Sequence, residues 1–263
     1  LVGGVDAEST KRGGAFYREV LDFDDRPDLD RGNGVWEMEN VEAAELAKLA
    51  ETTYRDVNIA LANEFATFAE RVGIGINEVI AASNSQPFSH IHRPGVAVGG
   101  HCIPVYPRFY LSGHADAELV ATARRVNLAV PGRVVDAVAG ELQGIEGRRV
   151  LILGAAYRGG VKETAYSGVF DLVREITDRG GRAVVSDPLY PPAELSRLGL
   201  EPWLGDEIDA IIVQTDHREY AGLTAADFPG VGVVYDGRGI LDPRLWSDAS
   251  VRLLVIGQGT SND

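Results

Sequence analysis

The only cysteine of this chain, Cys102, stands in the run Gly99-Gly100-His101-Cys102-Ile103-Pro104, with Pro94 before it and Pro107 after it. Paired glycines permit positive φ or close backbone approach, and prolines stiffen the backbone next to them. A lone cysteine in a rigid loop is a setting for thiolate chemistry, in which sulfur attacks a carbonyl carbon and forms a covalent intermediate. The competing reading is a small buried hydrophobe. His90, His92 and Arg93 lie just upstream and offer groups to a nucleotide or a partner subunit. The two histidines alternate rather than share a helical face, and the sequence has no second His/Cys cluster, so no metal site is expected. A Ser-His-Asp hydrolase would need a G-x-S-x-G element, which is absent. A second glycine-rich stretch, Gly154-Ala-Ala-Tyr157-Arg158-Gly-Gly-Val-Lys162, comes directly after an apolar run. A strand end with glycines and a cation behind it is a natural diphosphate cradle, although such glycines also occur in any sheet of this kind.

The elements that must position these residues change character along the chain. Residues 1–6 read as the last strand of something that began earlier, and 7–21 as a helix capped by Ser9 or Thr10. Residues 22–34 are charged and read as a linker. The stretch 41–72 is helical without internal Gly or Pro, rich in Ala, Leu and Glu, and ended by Gly73. A helix of that length spans about 45 Å and commonly joins domains or packs against its own copy. Lys48, Thr52, Asp56, Ile59 and Asn63 share one of its faces. A shorter helix is expected over 76–84, a loop over 86–108, a helix over 115–130 that Pro131 should break, and another over 132–142. After Gly147 come short Val/Ile-rich runs at 149–154, 182–187, 209–215, 231–236 and 252–257, with helical segments at 169–179 and 193–198. Alternating strand and helix specify an α/β chain: an all-helical part and then a doubly wound parallel sheet.

Composition narrows the function classes. With 263 residues, 45% hydrophobic and 24% charged, the chain is globular and large enough for one big domain or two ordinary ones. A net charge of −14 argues against a non-specific nucleic-acid binder but leaves room for a small phosphorylated ligand. No long uncharged apolar run or secretory leader is present, so neither a membrane span nor secretion is expected. One cysteine cannot make an intrachain disulfide, which suits a reducing cytoplasm.

The cysteine loop resembles the active-site loop of the nucleotide-sugar 6-dehydrogenases of the UDP-glucose/GDP-mannose dehydrogenase family. Its form is the one often seen in the N-acetylhexosamine branch, G-x-G-V-G-G-H-C-I-P-V-D-P. Residues 45–64 resemble the family's central helix, where the lysine matching Lys48 faces the active site and hydrogen-bonds the oxygen at the reacting sugar carbon. The segment from Gly154 to Ser167 resembles the nucleotide-side motif G-x-A-[FY]-K-x-x-x-x-D-x-R-x-S. Three departures stand out: the family's asparagine one turn after the lysine is Thr52, its aspartate four residues after the cysteine is Tyr106, and its later arginine is Ala165, with Lys162 nearby to replace the charge. Arg158 takes the place of the phosphate-facing lysine.

The resemblance implies an NAD-dependent enzyme that oxidises C6 of a UDP-sugar, a UDP-N-acetylhexosamine first, to the carboxylate. Cys102 would trap the aldehyde as a thiohemiacetal and later carry the thioester, with Lys48, Thr52 and Tyr106 beside it as catalytic residues. Gly99, Gly100, His101, His90, Arg93, Tyr157 and Arg158 would bind substrate. The implied organisation is the end of a dinucleotide-binding domain with its linker (1–33), a helical domain that forms a homodimer (34–146), and a Rossmann-like UDP-sugar domain (147–263). Without a G-x-G-x-x-G fingerprint, the chain is expected to be the C-terminal part of a longer enzyme. The alternatives are an NDP-glucose 6-dehydrogenase and a non-catalytic nucleotide-sugar-binding dimer module.

Overall fold

The computed structural model describes residues 1–28, 31–247 and 250–259. Residues 29 and 30 of the expected linker, and 248, 249 and 260–263 of the expected last domain, lie outside the described residues. The chain divides into two compact units, Leu1–Tyr54 and Arg55–Asp263.

In the first unit, α1 (Ala7–Val20) is capped by Asp6, not by Ser9 or Thr10. The Asp6 carboxylate accepts from the Ser9 amide at 2.7 Å, and Ser9 Oγ accepts from the Asp6 amide at 3.0 Å. Ser9 is thus the reciprocal half of a capping box whose charged acceptor lies three residues upstream. The opening residues form no regular strand; Val2 makes a single parallel bridge to Glu37. The long helix α2 (Val41–Val72) starts in this unit, with Asn40 Oδ1 accepting from the Ala43 amide at 2.8 Å.

The second unit holds the rest of α2, then α3 (Ile76–Ser83), α4 (Tyr106–Gly113) and α5 (Glu118–Glu141) ahead of the sheet. Two sequence expectations are corrected here. The segment expected as loop to residue 108 turns helical at Tyr106, because Pro107 sits in the first turn, where a missing N–H costs nothing. And α5 runs unbroken through Pro131. Val130, Pro131, Val134, Val135 and Val138 are all buried along one of its faces, so tertiary packing outweighs one lost backbone bond.

Five parallel strands, β1 (Arg149–Leu153), β2 (Arg182–Ser186), β3 (Ala210–Val213), β4 (Val233–Asp236) and β5 (Arg252–Val255), lie in the order β2-β1-β3-β4-β5. Alternate residues face opposite sides: Val150, Ile152, Ala210, Ile212, Val233 and Tyr235 join one core, and Leu151, Leu153, Ile211, Val213 and Val234 the other. Both faces are covered, so the strands read as continuous apolar runs. The first core receives α5, α6 (Gly168–Asp178) and Leu195 of α7 (Pro192–Arg197). The second is closed by Tyr220, Phe228 and Trp246, carried on or beside short 3-10 turns. Each fully buried Val, Leu or Ile contributes about 1.5–3 kcal/mol. The sequence order reverses direction at β1, between β2 and β3, and the carboxyl ends of these strands form the crevice where open α/β sheets bind ligands.

Candidate active site

At the end of β1 the chain must turn at once. Gly154 has φ +110°, and a Cβ there would stand 2.1 Å from Thr215 Oγ1. The loop after it is held by the ends of β2 and β3. Asp187 Oδ2 accepts from the Ala155 and Ala156 amides at 2.7 and 3.0 Å. The Tyr157 amide donates to the Glu163 carbonyl at 2.9 Å, Gly159 to Asp216 Oδ1 at 2.7 Å, and Gly160 to His217 Nδ1 at 3.3 Å. The Ala155, Ala156, Tyr157, Gly159 and Gly160 amides are thus bonded within the protein. His217 accepts at Nδ1, so Nε2 carries the proton and donates to Asp187 at 3.1 Å. Burial pushes the Asp187 carboxyl up, but the His217 hydrogen bond and three backbone amides outweigh it and hold the group below its ordinary value. Gln214 Nε2 donates to Ser167 Oγ at 2.6 Å, and Thr215 Oγ1 to the Ala156 carbonyl at 2.5 Å. The expected strand 209–215 therefore ends at Val213, and its polar tail becomes part of the site.

The cysteine loop is strapped to these elements. Asn58 on α2 donates to the His90 carbonyl at 2.5 Å and accepts from the His92 amide at 2.9 Å, and Asn63 accepts from the Gly95 amide at 3.0 Å. Val96 is wholly buried and its amide donates to the Gly237 carbonyl at 3.3 Å, at the end of β4. The Gly100 amide donates to the Ala165 carbonyl at 2.8 Å. Tyr157 packs directly on the glycine pair: a Cβ at Gly99 would lie 2.6 Å from its Cβ, and one at Gly100 3.2 Å from its ring. His101 Nε2 lies 3.2 Å from Glu163 Oε2. The His101 hydrogen bond, aided by the Ala165 amide, holds the Glu163 carboxyl below its usual range. Cys102 is half-buried, and its carbonyl accepts from the Val105 and Tyr106 amides at 3.1 and 2.9 Å as the chain winds into α4.

The structure thus brings Gly99, Gly100, His101 and Tyr157 together beside Cys102. Tyr106 opens α4 with its ring 5.9 Å from that of Phe109. Arg158 is exposed, its guanidinium 5.8 Å from the Tyr157 ring. Lys162 is engaged elsewhere, 2.6 Å from Glu194 and over the Tyr190 ring. His90 and the exposed Arg93 lie on the strap, and Arg93 shares a cleft of about 350 Å³ with Asn84, Ile91 and Arg238. In the first unit, Lys48 pairs with Glu51 at 2.8 Å, and the buried Thr52 hydroxyl donates to the Lys48 carbonyl at 2.8 Å. In this conformation Thr52 offers a lone pair and not a proton.

Sequence reasoning missed Glu163, Asp187, His217 and Arg238. The legible signal was polar residues directly after apolar strands, as in Gln214-Thr215-Asp216-His217 after β3. Among the described residues no three His, Cys, Asp or Glu side chains gather as a metal site, and no helix is long and apolar enough to cross a membrane.

Comparison with known proteins matches this arrangement. The UDP-glucose/GDP-mannose dehydrogenase family, central domain, matches residues 42–129, and the UDP binding domain of the same family matches residues 151–243. A UDP-N-acetyl-D-mannosamine dehydrogenase of Methanocaldococcus jannaschii is 31% identical over 270 residues, covering 98% of this chain and 59% of the relative. The solved UDP-D-ManNAc dehydrogenase of Pyrococcus horikoshii superposes with a TM-score of 0.81 at 28% identity, over 98% of this chain and 59% of that one. An NDP-N-acetyl-D-galactosaminuronic acid dehydrogenase structure from Methanosarcina mazei gives a TM-score of 0.81 at 25% identity, over 98% and 57%. The chain spans about 60% of the length of the curated relatives it matches. With both family domains present in order and the cysteine loop docked on the second of them, the chain belongs to the UDP-glucose/GDP-mannose dehydrogenase family.

Proposed function

We propose that this chain supplies the cysteine-bearing and UDP-binding parts of an NAD-dependent nucleotide-sugar 6-dehydrogenase acting on a UDP-N-acetylhexosamine. One observation carries the reading: the Cys102 loop is fastened, through Gly99, Gly100 and His101, to the loop at the carboxyl end of β1. A nucleotide sugar whose diphosphate lies at that sheet end would present its far carbon to the cysteine.

Cys102 forms a C–S bond to the C6 aldehyde, giving a thiohemiacetal; NAD would accept the hydride whose loss leaves a thioester, and water then cleaves that to the carboxylate and releases the sulfur. Cys102 lies in the turn that leads into α4, its carbonyl accepting from the Val105 and Tyr106 amides. Lys48 stabilises the sugar alkoxide. Tyr106 puts a phenol where the family carries a carboxylate; Glu163, held against His101, is the carboxylate we assign to proton handling beside the cysteine loop. Arg158, with Arg93 and Arg238, provides the cationic side chains for the diphosphate, since the amides of Ala155, Ala156, Tyr157, Gly159 and Gly160 are bonded within the protein. For the same reason the described glycine loop does not fit NAD, so we assign that cofactor to residues other than these. Leu61, Phe65, Phe68 and Val72 expose an apolar stripe at helical spacing on α2, which we assign to a second copy of the chain in a homodimer. The single unpaired thiol supports a cytoplasmic location.

The test uses the enzyme that carries this chain, supplied with NAD and UDP-N-acetylmannosamine or UDP-glucose. Cys102→Ser should abolish carboxylate formation while leaving UDP binding intact, and undiminished turnover would end the thioester reading. Binding of UDP-sugars without any NAD reduction by the parent enzyme would favour the non-catalytic module instead.

A further inference from the structure

On α2 and α5, four polar side chains of the second unit that hydrogen-bond to one another are almost completely removed from solvent: Asp56 (0% exposed), Asn63 (1%), Asn127 (3%) and Arg124 (6%). None of them takes part in the dehydrogenase chemistry, yet they form one connected path. Arg124 Nη1 donates to Asp56 Oδ1 at 2.5 Å. Asn127 Nδ2 donates to the same oxygen at 2.8 Å and to the Asp56 carbonyl at 3.0 Å. Asn63 Nδ2 donates to Asn127 Oδ1 at 3.0 Å, and Asn63 Oδ1 accepts from the Gly95 amide at 3.0 Å. The path begins at a buried ion pair and ends on the backbone of the segment that leads into Cys102.

Its direction comes from chemistry. An ionised carboxylate only accepts hydrogen bonds, whereas a primary amide has one accepting and one donating end. Burial holds the Asp56 carboxyl above its ordinary value against the Arg124 charge and the Asn127 hydrogen bond, and the Asp56 backbone carbonyl, which can only accept, faces the same Asn127 nitrogen. Asn127 must therefore turn its NH2 towards Asp56, which leaves its oxygen for Asn63. Asn63 must then turn its NH2 towards Asn127, which leaves its oxygen for the Gly95 N–H. Reversing either amide sets donor against donor or acceptor against acceptor in a dry interior, where such a mismatch is most costly.

We propose that Asp56 is a positioning residue for the Cys102 loop, fixing through Asn127 and Asn63 the acceptor that holds Gly95. The loop is thereby anchored at Gly95 by α2 and at Val96 by the end of β4. The importance of this anchor for turnover rests on Cys102 being the nucleophile; the anchoring itself does not.

The discriminating variants are Asp56→Ala, Asn63→Ala, the two combined, and Asp56→Asn. Asn63→Ala removes the acceptor of the Gly95 N–H, and Asp56→Ala removes the oxygen that orients Asn127. Asp56→Asn keeps an oxygen where Arg124 and Asn127 both donate. Hydrogen exchange of the amides from Gly95 to Gly100, read by mass spectrometry, should speed up about tenfold or more in either alanine variant, no further in the combination, and stay within about threefold of the parent in Asp56→Asn. The alkylation rate of Cys102 should shift in parallel. In the complete enzyme Asp56→Ala should lower kcat more than it raises KM. Parent-like exchange in Asp56→Ala, or effects of the two alanine changes that add in the combination, would overturn the proposal. If Asp56→Ala does not fold, Asn127→Ser, which removes the middle link alone, makes the same decision. Turnover retained by Cys102→Ser would strike the nucleophile reading and leave the exchange result standing.

Discussion

Substituting Gly99 by alanine tests how the cysteine loop is docked. Gly99 does not adopt positive φ, so the added methyl carries no backbone penalty and its cost is packing alone. The new Cβ would sit 2.6 Å from Tyr157 Cβ and 3.0 Å from the Tyr166 carbonyl oxygen. Carbon atoms rest at about 3.5–4.0 Å, so the loop and the segment after β1 must part by roughly 1 Å. Both neighbours are backbone or the first atom of a side chain, and neither can rotate away. Overpacking of this kind costs about 1–3 kcal/mol. For a chain of this size a loss of ~2 kcal/mol lowers Tm by about 4–8 °C. Gly100→Ala differs in kind: its Cβ meets the Tyr157 ring at 3.2 Å, and its φ of +95° adds strain. Tyr157→Ala should therefore relieve part of the Gly100→Ala loss and none of the Gly99→Ala loss. Scanning calorimetry of these variants, with iodoacetamide labelling of Cys102, measures both effects. A Gly99→Ala protein that melts within about 1 °C of the parent and labels at the same rate would refute this docking of the loop.

Three other outcomes are expected. Arg158→Ala should weaken UDP binding by about 1.5–3 kcal/mol at low salt, as for loss of a charge-assisted hydrogen bond, and calorimetry showing unchanged affinity would remove Arg158 from the site. Phe68→Asp places a charge on a side chain 63% exposed on α2, and sedimentation should show the proposed dimer replaced by monomer. The Asp187 carboxyl is held below its ordinary value of 3.8, so its stabilisation is complete above that value and is lost as pH falls through the depressed one. The difference in urea midpoint between the parent and Asp187→Asn should accordingly be present at pH 7 and shrink in acid; a difference that grows on acidification would contradict the sign.

The five strand cores, the long α2 and the cysteine loop were legible in the residues themselves. Short Val/Ile runs between helical segments allow little besides a covered parallel sheet, and a helix of 32 residues without Gly or Pro announces itself. Family resemblance drew attention to Lys48, Cys102 and Arg158 from local motifs alone. Ends and interruptions were not legible, because they depend on partners far along the chain. Pro131 stays helical because its face of α5 is buried on the sheet, a fact that no window around residue 131 contains. No local pattern after β1 shows that the Ala155 and Ala156 amides bond to Asp187, or those of Gly159 and Gly160 to Asp216 and His217, from two other strand ends. The pairing of Glu163 with His101, and the path from Asp56 to Gly95, likewise join residues from distant parts of the sequence. Local pattern determined which elements form, since propensity and periodicity act over a few residues. Tertiary structure decided which donors remain free for a ligand, since a buried amide bonds to whatever acceptor the fold brings to it.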